Sequence, residues 1–139
     1  MSKRPAFELE RLDHLVLRTN DAQRLIDFYC GLGCQVVRQV ERMNLTQLAA
    51  GASMIDIIGT EVSDAEAGRN LDHFALRVSP FDSEAILEYC AANGIPAEAP
   101  DFLLLGADGY GPAVYIEDPD GNRVELKGPP EKPRPDPAI

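Results

Sequence analysis

The chain has no tryptophan, two histidines and three cysteines in 139 residues. Three cysteines do not make a disulfide framework, so Cys30, Cys34 and Cys90 read as small apolar residues, and a reducing, cytoplasmic setting is expected. Positive charge is also scarce. Thirteen Lys and Arg stand against 23 Asp and Glu, a net charge of −10. That balance argues against non-specific binding to nucleic acid or to an anionic membrane surface, both of which are polyanions. No stretch approaches the roughly 20 apolar residues needed to cross a bilayer. The start, MSKRPAFELERLD, has no apolar segment of the kind a secretory signal carries. What remains is 45% hydrophobic and 26% charged, the make-up of an ordinary globular domain with room for one core.

An internal repeat is the most informative feature. Residues 12–18 read L-D-H-L-V-L-R and residues 71–77 read L-D-H-F-A-L-R, five identities in seven at an offset of 59. Ile26, Tyr29 and Cys30 recur as Ile86, Tyr89 and Cys90 at an offset of 60. M-I-D-I-I-G at 54–59 resembles R-V-E-L-K-G at 123–128 at an offset of 69. The order is the same in both halves, which marks a duplicated module.

Local patterns place elements in each copy. Residues 9–18 alternate and predict a strand. Leu25, Phe28, Tyr29 and Leu32 have helical spacing within Asp21 to Leu32, with Asn20 or Asp21 as cap and Gly31 and Gly33 at the end. Short strands follow near 35–41, 44–50 and 53–59. A polar, acidic linker covers 61–70. The second copy opens with a strand at 71–79, stopped by Pro80, then a helix from Asp82 to Asn93 closed by Gly94. Strands are predicted near 96–100, 112–118 and 122–128, with a long loop at 101–111 and a tight D-P-D-G-N turn at 118–122. The fold class is therefore α+β: two βαβββ modules in tandem, 7–60 and 71–128, forming a curved mixed sheet around a cleft with helices on the outer face. These make a single domain over 7–128. The tail at 129–139 holds five prolines and reads as an arm outside the core.

Strand alternation sorts the side chains. Leu15, Leu17, Phe74, Leu76, Ile55, Ile57, Val124 and Leu126 fall on helix-facing sides. His14, Asp56, His73 and Glu125 fall on the cleft side. The only two histidines occupy equivalent positions of the repeat, and so do the two carboxylates. Two imidazoles and two carboxylates suit a divalent transition metal with positions left for water or substrate. A pair of structural histidines, each bonded to an adjacent polar group, is the alternative. Tyr115 shares the cleft parity with Glu117 and is a candidate hydrogen-bond donor to substrate. Met54 and Ile58 are expected to wall the pocket, and Arg123 and Lys127 to be solvent-facing or ion-paired at its rim.

D-H-L-V-L-R, D-H-F-A-L-R and E-D-P-D-G-N-R-V-E-L resemble the signatures of the vicinal oxygen chelate superfamily, over roughly residues 9–128. That superfamily contains glyoxalase I, fosfomycin-resistance transferases, methylmalonyl-CoA epimerases, extradiol dioxygenases and bleomycin-resistance proteins. The resemblance implies a divalent ion (Zn, Ni, Mn, Fe or Co) held by His14, His73 and Glu125. At the fourth ligand position glyoxalase I has Glu and some relatives Gln; the residue here is Asp56, one methylene shorter, with Gln47 on the neighbouring strand as a substitute. It also implies a homodimer, in which the site is completed within one chain or across two.

The superfamily's reactions begin with two adjacent substrate oxygens on the metal. A ring-cleaving dioxygenase resembling family members needs a further cleft histidine, and this chain has none left. A fosfomycin transferase needs a cationic phosphonate pocket, which is not evident. Glyoxalase-like lyase or isomerase chemistry through a metal-stabilised enediolate needs only one carboxylate base, for which Asp56 and Glu125 are candidates. In glyoxalase I an Arg at the position of Arg18 helps bind the thiol cosubstrate. Arg18, and symmetrically Arg77, are thus candidate contacts for an anionic or carbonyl-bearing small molecule, with glutathione as a possible cosubstrate; surface arginines are the alternative. A metal-free drug-binding protein is the non-enzymatic alternative, against which the His/His/Glu set weighs.

Overall fold

A computed structural model describes residues 4–31, 33–61, 70–117 and 121–136. Most of the expected 61–70 linker, the first part of the D-P-D-G-N turn and Leu32 at the end of the first helix lie outside the described residues. The elements run β1 (Glu8–Thr19), α1 (Ala22–Gly31), β2 (Gln35–Val40), β3 (Leu45–Ala50), β4 (Ser53–Gly59), β5 (Leu71–Ser79), α2 (Ser83–Ala92), β6 (Asp101–Gly106), β7 (Gly109–Glu117), β8 (Arg123–Lys127) and β9 (Lys132–Pro133). The fold class is α+β, with the βαβββ order in both halves.

Contacts group the residues into two compact units, one of 1–13 and 73–134, the other of 14–72 and 135–139. Strand β1 contributes to both, the division falling between Asp13 and His14. In the unit of 14–72 the strand order is β2-β3-β4-β1, with β1 and β4 parallel and the rest antiparallel. Helix α1 lays Ile26 on Leu48 and Ile57, flanked by Leu25, Tyr29 and Ile55. Asp21 caps it by accepting from the Arg24 amide at 3.2 Å, which satisfies a donor the helix itself cannot use. Cys30 and Cys34 are partly exposed, not buried as expected, because they sit at the end of α1 and beyond it.

In the unit of 73–134 the order is β5-β8-β7-β6, with β5 and β8 parallel. Ile86 and Cys90 of α2 pack on Val78, Val114, Val124 and Leu126. Asp82 caps α2 through the Ala85 amide at 3.2 Å. Burial pushes the Cys90 thiol pKa up, so it stays a neutral core group.

Two expectations fail here. No strand forms at 96–100; only Ala97 bridges to Ile116. The strand is instead β6, inside the segment read as a loop. Residues 102–105 are apolar, and the Ala107–Asp108 turn is closed by Gly109 at a φ of +140°. The turn therefore lies earlier than the acidic, glycine-rich composition suggested. The tail is also less detached than expected. Strand β9 pairs with Gly109 and Tyr110, and the Glu131 amide donates to the Tyr110 carbonyl at 2.6 Å.

Lys127 contradicts its expected place at the rim: it is 2% exposed. Alternation puts it on the same side of β8 as Glu125, and that side is covered in this unit. Its Nζ has no hydrogen-bond partner among the described residues. Burial lowers its pKa below 10.5, while the Glu125 and Asp13 carboxylates push it back up. Asp13 is 1% exposed and accepts from the Ala107 amide at 2.8 Å. Gly106 makes room for both, since a Cβ there would stand 2.6 Å from Asp13 Oδ1 and 2.8 Å from Lys127 Cε.

Asp13 and Lys127 attract each other in the interior, so removing either charge leaves the other buried with less compensation. Asp13→Asn and Lys127→Met are each expected to cost about 3–5 kcal/mol in urea unfolding, and the double variant less than their sum. Additivity within about 0.5 kcal/mol would show that the pair is not coupled. Because the Lys127 pKa is lowered in the folded state, the unfolded chain holds that proton more tightly. Its contribution to stability is therefore present above pH 10.5 and lost as pH falls through the folded pKa. Wild type should gain stability on Lys127→Met as pH rises toward that value. Gly106→Ala is expected to destabilise by about 2 kcal/mol through overpacking.

Candidate metal centre

The unit of 73–134 brings His73 and Glu125 together. His73 is the third residue of β5 and Glu125 is the middle residue of β8. The parallel register of Ala75 with Glu125 sets His73 two positions back along the same face. His73 is 8% exposed and Glu125 1%. His73 Nε2 and Glu125 Oε1 stand 3.2 Å apart, within hydrogen-bond distance. Tyr115 lies opposite Glu125 in the antiparallel pairing with β7. Its ring meets the His73 imidazole edge-on, 5.2 Å between centroids. The Arg123 guanidinium covers that tyrosine ring at 3.8 Å from its centroid and pairs with Glu98 at 3.2 Å, the rim role expected of it.

In the unit of 14–72, His14 is 3% exposed and Asp56 4%. His14 lies opposite Met54 and Val16 opposite Asp56 in the parallel pairing of β1 with β4. Gln47 lies opposite Asp56 from the other side, on β3. The Gln47 side-chain amide donates through Nε2 to Asp56 Oδ2 at 2.9 Å. Its Oε1 accepts from Arg38 Nε at 2.8 Å. A guanidinium can only donate, so the amide oxygen must face Arg38 and the amide nitrogen must face Asp56.

His14 is buried in one unit, and His73 and Glu125 are buried in the other; they are residue types that could together hold a metal ion. Two imidazoles and a carboxylate are also the right chemistry, borderline donors with one negative charge. These residues fit a divalent transition metal. Asp56, expected as fourth ligand or base, has its Oδ2 held by the Gln47 amide. Gln47, the expected substitute, has its oxygen committed to Arg38.

The expected substrate contacts have acidic neighbours. Arg18 stands 3.7 Å from Asp72. Arg77 stands 3.4 Å from Glu10 and also pairs with Asp108. Asp108 is shared with Arg11. Sequence reasoning did not find Arg38 or the buried Lys127. The signal for Lys127 was its parity with Glu125. The signal for Gln47 was its opposition to Asp56 across adjacent strands, which mirrors Tyr115 opposite Glu125.

Among curated proteins, the chain is 26% identical over 130 residues to the glyoxalase domain-containing protein RDO1 of Mycosarcoma maydis, covering 86% of this chain and 69% of that one. Among solved structures it is similar to an extradiol ring-cleaving dioxygenase from B. fuscum, at a TM-score of 0.72 and 23% identity over 92% of this chain. The chain spans about a third of that dioxygenase, 35% of its length. It is also similar to a methylmalonyl-CoA epimerase from Mycobacterium tuberculosis, at 0.61 and 21% identity, covering 87% of this chain and 89% of the epimerase. A Mn(II)-bound glyoxalase from Novosphingobium aromaticivorans aligns at 0.69 and 18% identity, covering 96% of this chain and 43% of that one. Identities this low speak for the fold alone. The family model matches residues 11–126, and the chain belongs to the Glyoxalase/Bleomycin resistance protein/Dioxygenase superfamily.

Proposed function

We propose that the protein is a divalent-metal-dependent lyase or isomerase of the glyoxalase type, with His14, His73 and Glu125 as the metal ligands. The observation that carries this reading is the buried His73–Glu125 contact, with a second buried histidine, His14, at the matched position of the first copy of the module. When bound, the ion supplies Lewis-acid stabilisation for negative charge developing on two adjacent oxygens of a small substrate. The chain's own residues do the rest. His14, His73 and Glu125 would hold the ion through their imidazole nitrogens and carboxylate. Tyr115 packs against the His73 ring and limits its rotation. Asp56, outside the ligand group and held by Gln47, takes the proton from the carbon beside the substrate carbonyl. Arg18 and Arg77 bind an anionic substrate or a thiol cosubstrate such as glutathione by exchanging their acidic partners for it. The protein works as a homodimer in the cytoplasm, where the three thiols stay reduced. Among the described residues no helix is long and apolar enough to cross a membrane.

The chain has only two histidines, and both are assigned to the metal. None is left for the acid–base role in ring cleavage, which favours proton transfer over oxygen chemistry.

Protein purified without a histidine tag is expected to carry one divalent ion per chain by elemental analysis. His73→Ala should hold less than about a tenth of that, the loss expected when one of three protein ligands goes. Equal metal content in both proteins sinks the site. With methylglyoxal and glutathione, Asp56→Asn is expected to lower kcat about 10²–10⁴-fold while keeping its metal. Oxygen uptake with catechol, and none of this isomerase activity, would replace the reading with the dioxygenase one.

A further inference from the structure

The two halves of the repeat place the same kind of pair on adjacent antiparallel strands. Gln47 faces Asp56 in one half, and Tyr115 faces Glu125 in the other. The carboxylates behave differently. Glu125 reaches the His73 imidazole at 3.2 Å. Asp56, one methylene shorter, receives the Gln47 amide on Oδ2 at 2.9 Å. Gln47 is 3% exposed, so no bulk water competes for its amide. Nor can the amide turn over at low cost. A flipped amide would set its oxygen against the Asp56 carboxylate and its N–H groups against the Arg38 guanidinium, repulsive on both sides.

We propose that Gln47, locked in orientation by Arg38, is a positioning residue that keeps Asp56 out of the metal's ligand set and so reserves it as the proton acceptor. This rests on the metal reading of His14, His73 and Glu125. Charge-assisted hydrogen bonds from an amide to a buried carboxylate are strong and directional. Residues one step out from a metal commonly alter its affinity 10–100-fold. Arg38 therefore acts two side chains away from Asp56, through a single amide whose direction it dictates. The duplicated architecture supplies two equivalent acids, and the Arg38–Gln47 relay separates their duties.

Cobalt(II) titration of the full chain, followed by visible absorption, tests the assignment without a substrate. Wild type is expected to bind one Co(II). Glu125→Gln should weaken binding about 100-fold, whereas Asp56→Asn should change it less than about threefold and leave the d–d bands alone. Gln47→Leu frees Asp56 to join the ion. It should tighten binding about tenfold and alter the bands, and the Gln47→Leu/Asp56→Asn double variant should return both to wild type. Arg38→Met, at a partly buried position, should act in the same direction and more weakly, and it carries the test if Gln47→Leu does not fold. The proposal is overturned if Asp56→Asn loses cobalt as Glu125→Gln does. It is equally overturned if every folded variant of Gln47 or Arg38 titrates like wild type. A wild-type protein that takes up no Co(II) is a different result: it removes the metal reading itself, and this inference with it.

Discussion

A carboxylate with 1% of its surface exposed has to give its charge to something, and for Glu125 that something is the His73 imidazole at 3.2 Å. Much of the candidate centre follows from this one contact. It requires β5 and β8 to run parallel in a register that puts His73 two residues from the Ala75–Glu125 pair. It requires Tyr115 to stand opposite Glu125, where its ring closes the imidazole in. It also requires a cation near the next residue on the same face of β8, and Lys127 is there. An isolated buried carboxylate would protonate rather than pay its desolvation cost. A hydrogen-bonded acid beside an imidazole keeps a geometry in which a metal ion can replace one proton.

The duplicated halves share strands and helices but have diverged on this one face. Where the second half has Glu125, Tyr115 and Lys127, the first has Asp56, Gln47 and Ile58. Each change lowers the first half's claim on a metal. The acid is shorter, its facing neighbour is an amide that binds it, and the nearby ammonium is an isoleucine. Only the histidine is kept in both, at the third position of each L-D-H motif. In the proposed centre, duplication alone would give a symmetric ring of four ligands, and the divergence would leave three ligands and a separately held acid.

Much of this was legible in the sequence because it depends on alternation and repetition. The parity of His14, His73, Asp56 and Glu125 needs only that four short strands be strands, and Asp21 and Asp82 announce their helices by capping chemistry. What was missed depends on neighbours distant in the chain. Residues 101–106 read as a loop because Asp101, Gly106 and Asp108 dominate the composition, whereas pairing with β7 decides the outcome. Lys127 was assigned to the rim from its residue type, although its parity with Glu125 pointed inward. The facing of Gln47 hung on the turn after Ala50. Once β3 and β4 pair through Ala50 and Ser53, Gln47 can only meet Asp56. The proposed exclusion of Asp56 from the ligand group is a matter of one methylene and one amide, a scale at which pattern reasoning has no purchase.

The overall charge sets the last constraint. A chain at −10 that buries Asp13, Asp56 and Glu125 has concentrated negative charge where it is most costly. The arginines nearest by sequence do little to offset it there. Arg77 has Glu10 and Asp108 as partners, Arg11 shares Asp108, and Arg18 sits beside Asp72. Arg18 and Arg77 would have to release these acidic partners before meeting an anionic small molecule there. The proposed divalent ion would change the sign of the problem at one point: one of its charges would balance Glu125, the other would face substrate oxygens, and Asp56 would remain as the base. Acidic composition, which argues against non-specific binding to nucleic acid, fits an oxygen-chelating substrate once the proposed centre is metallated.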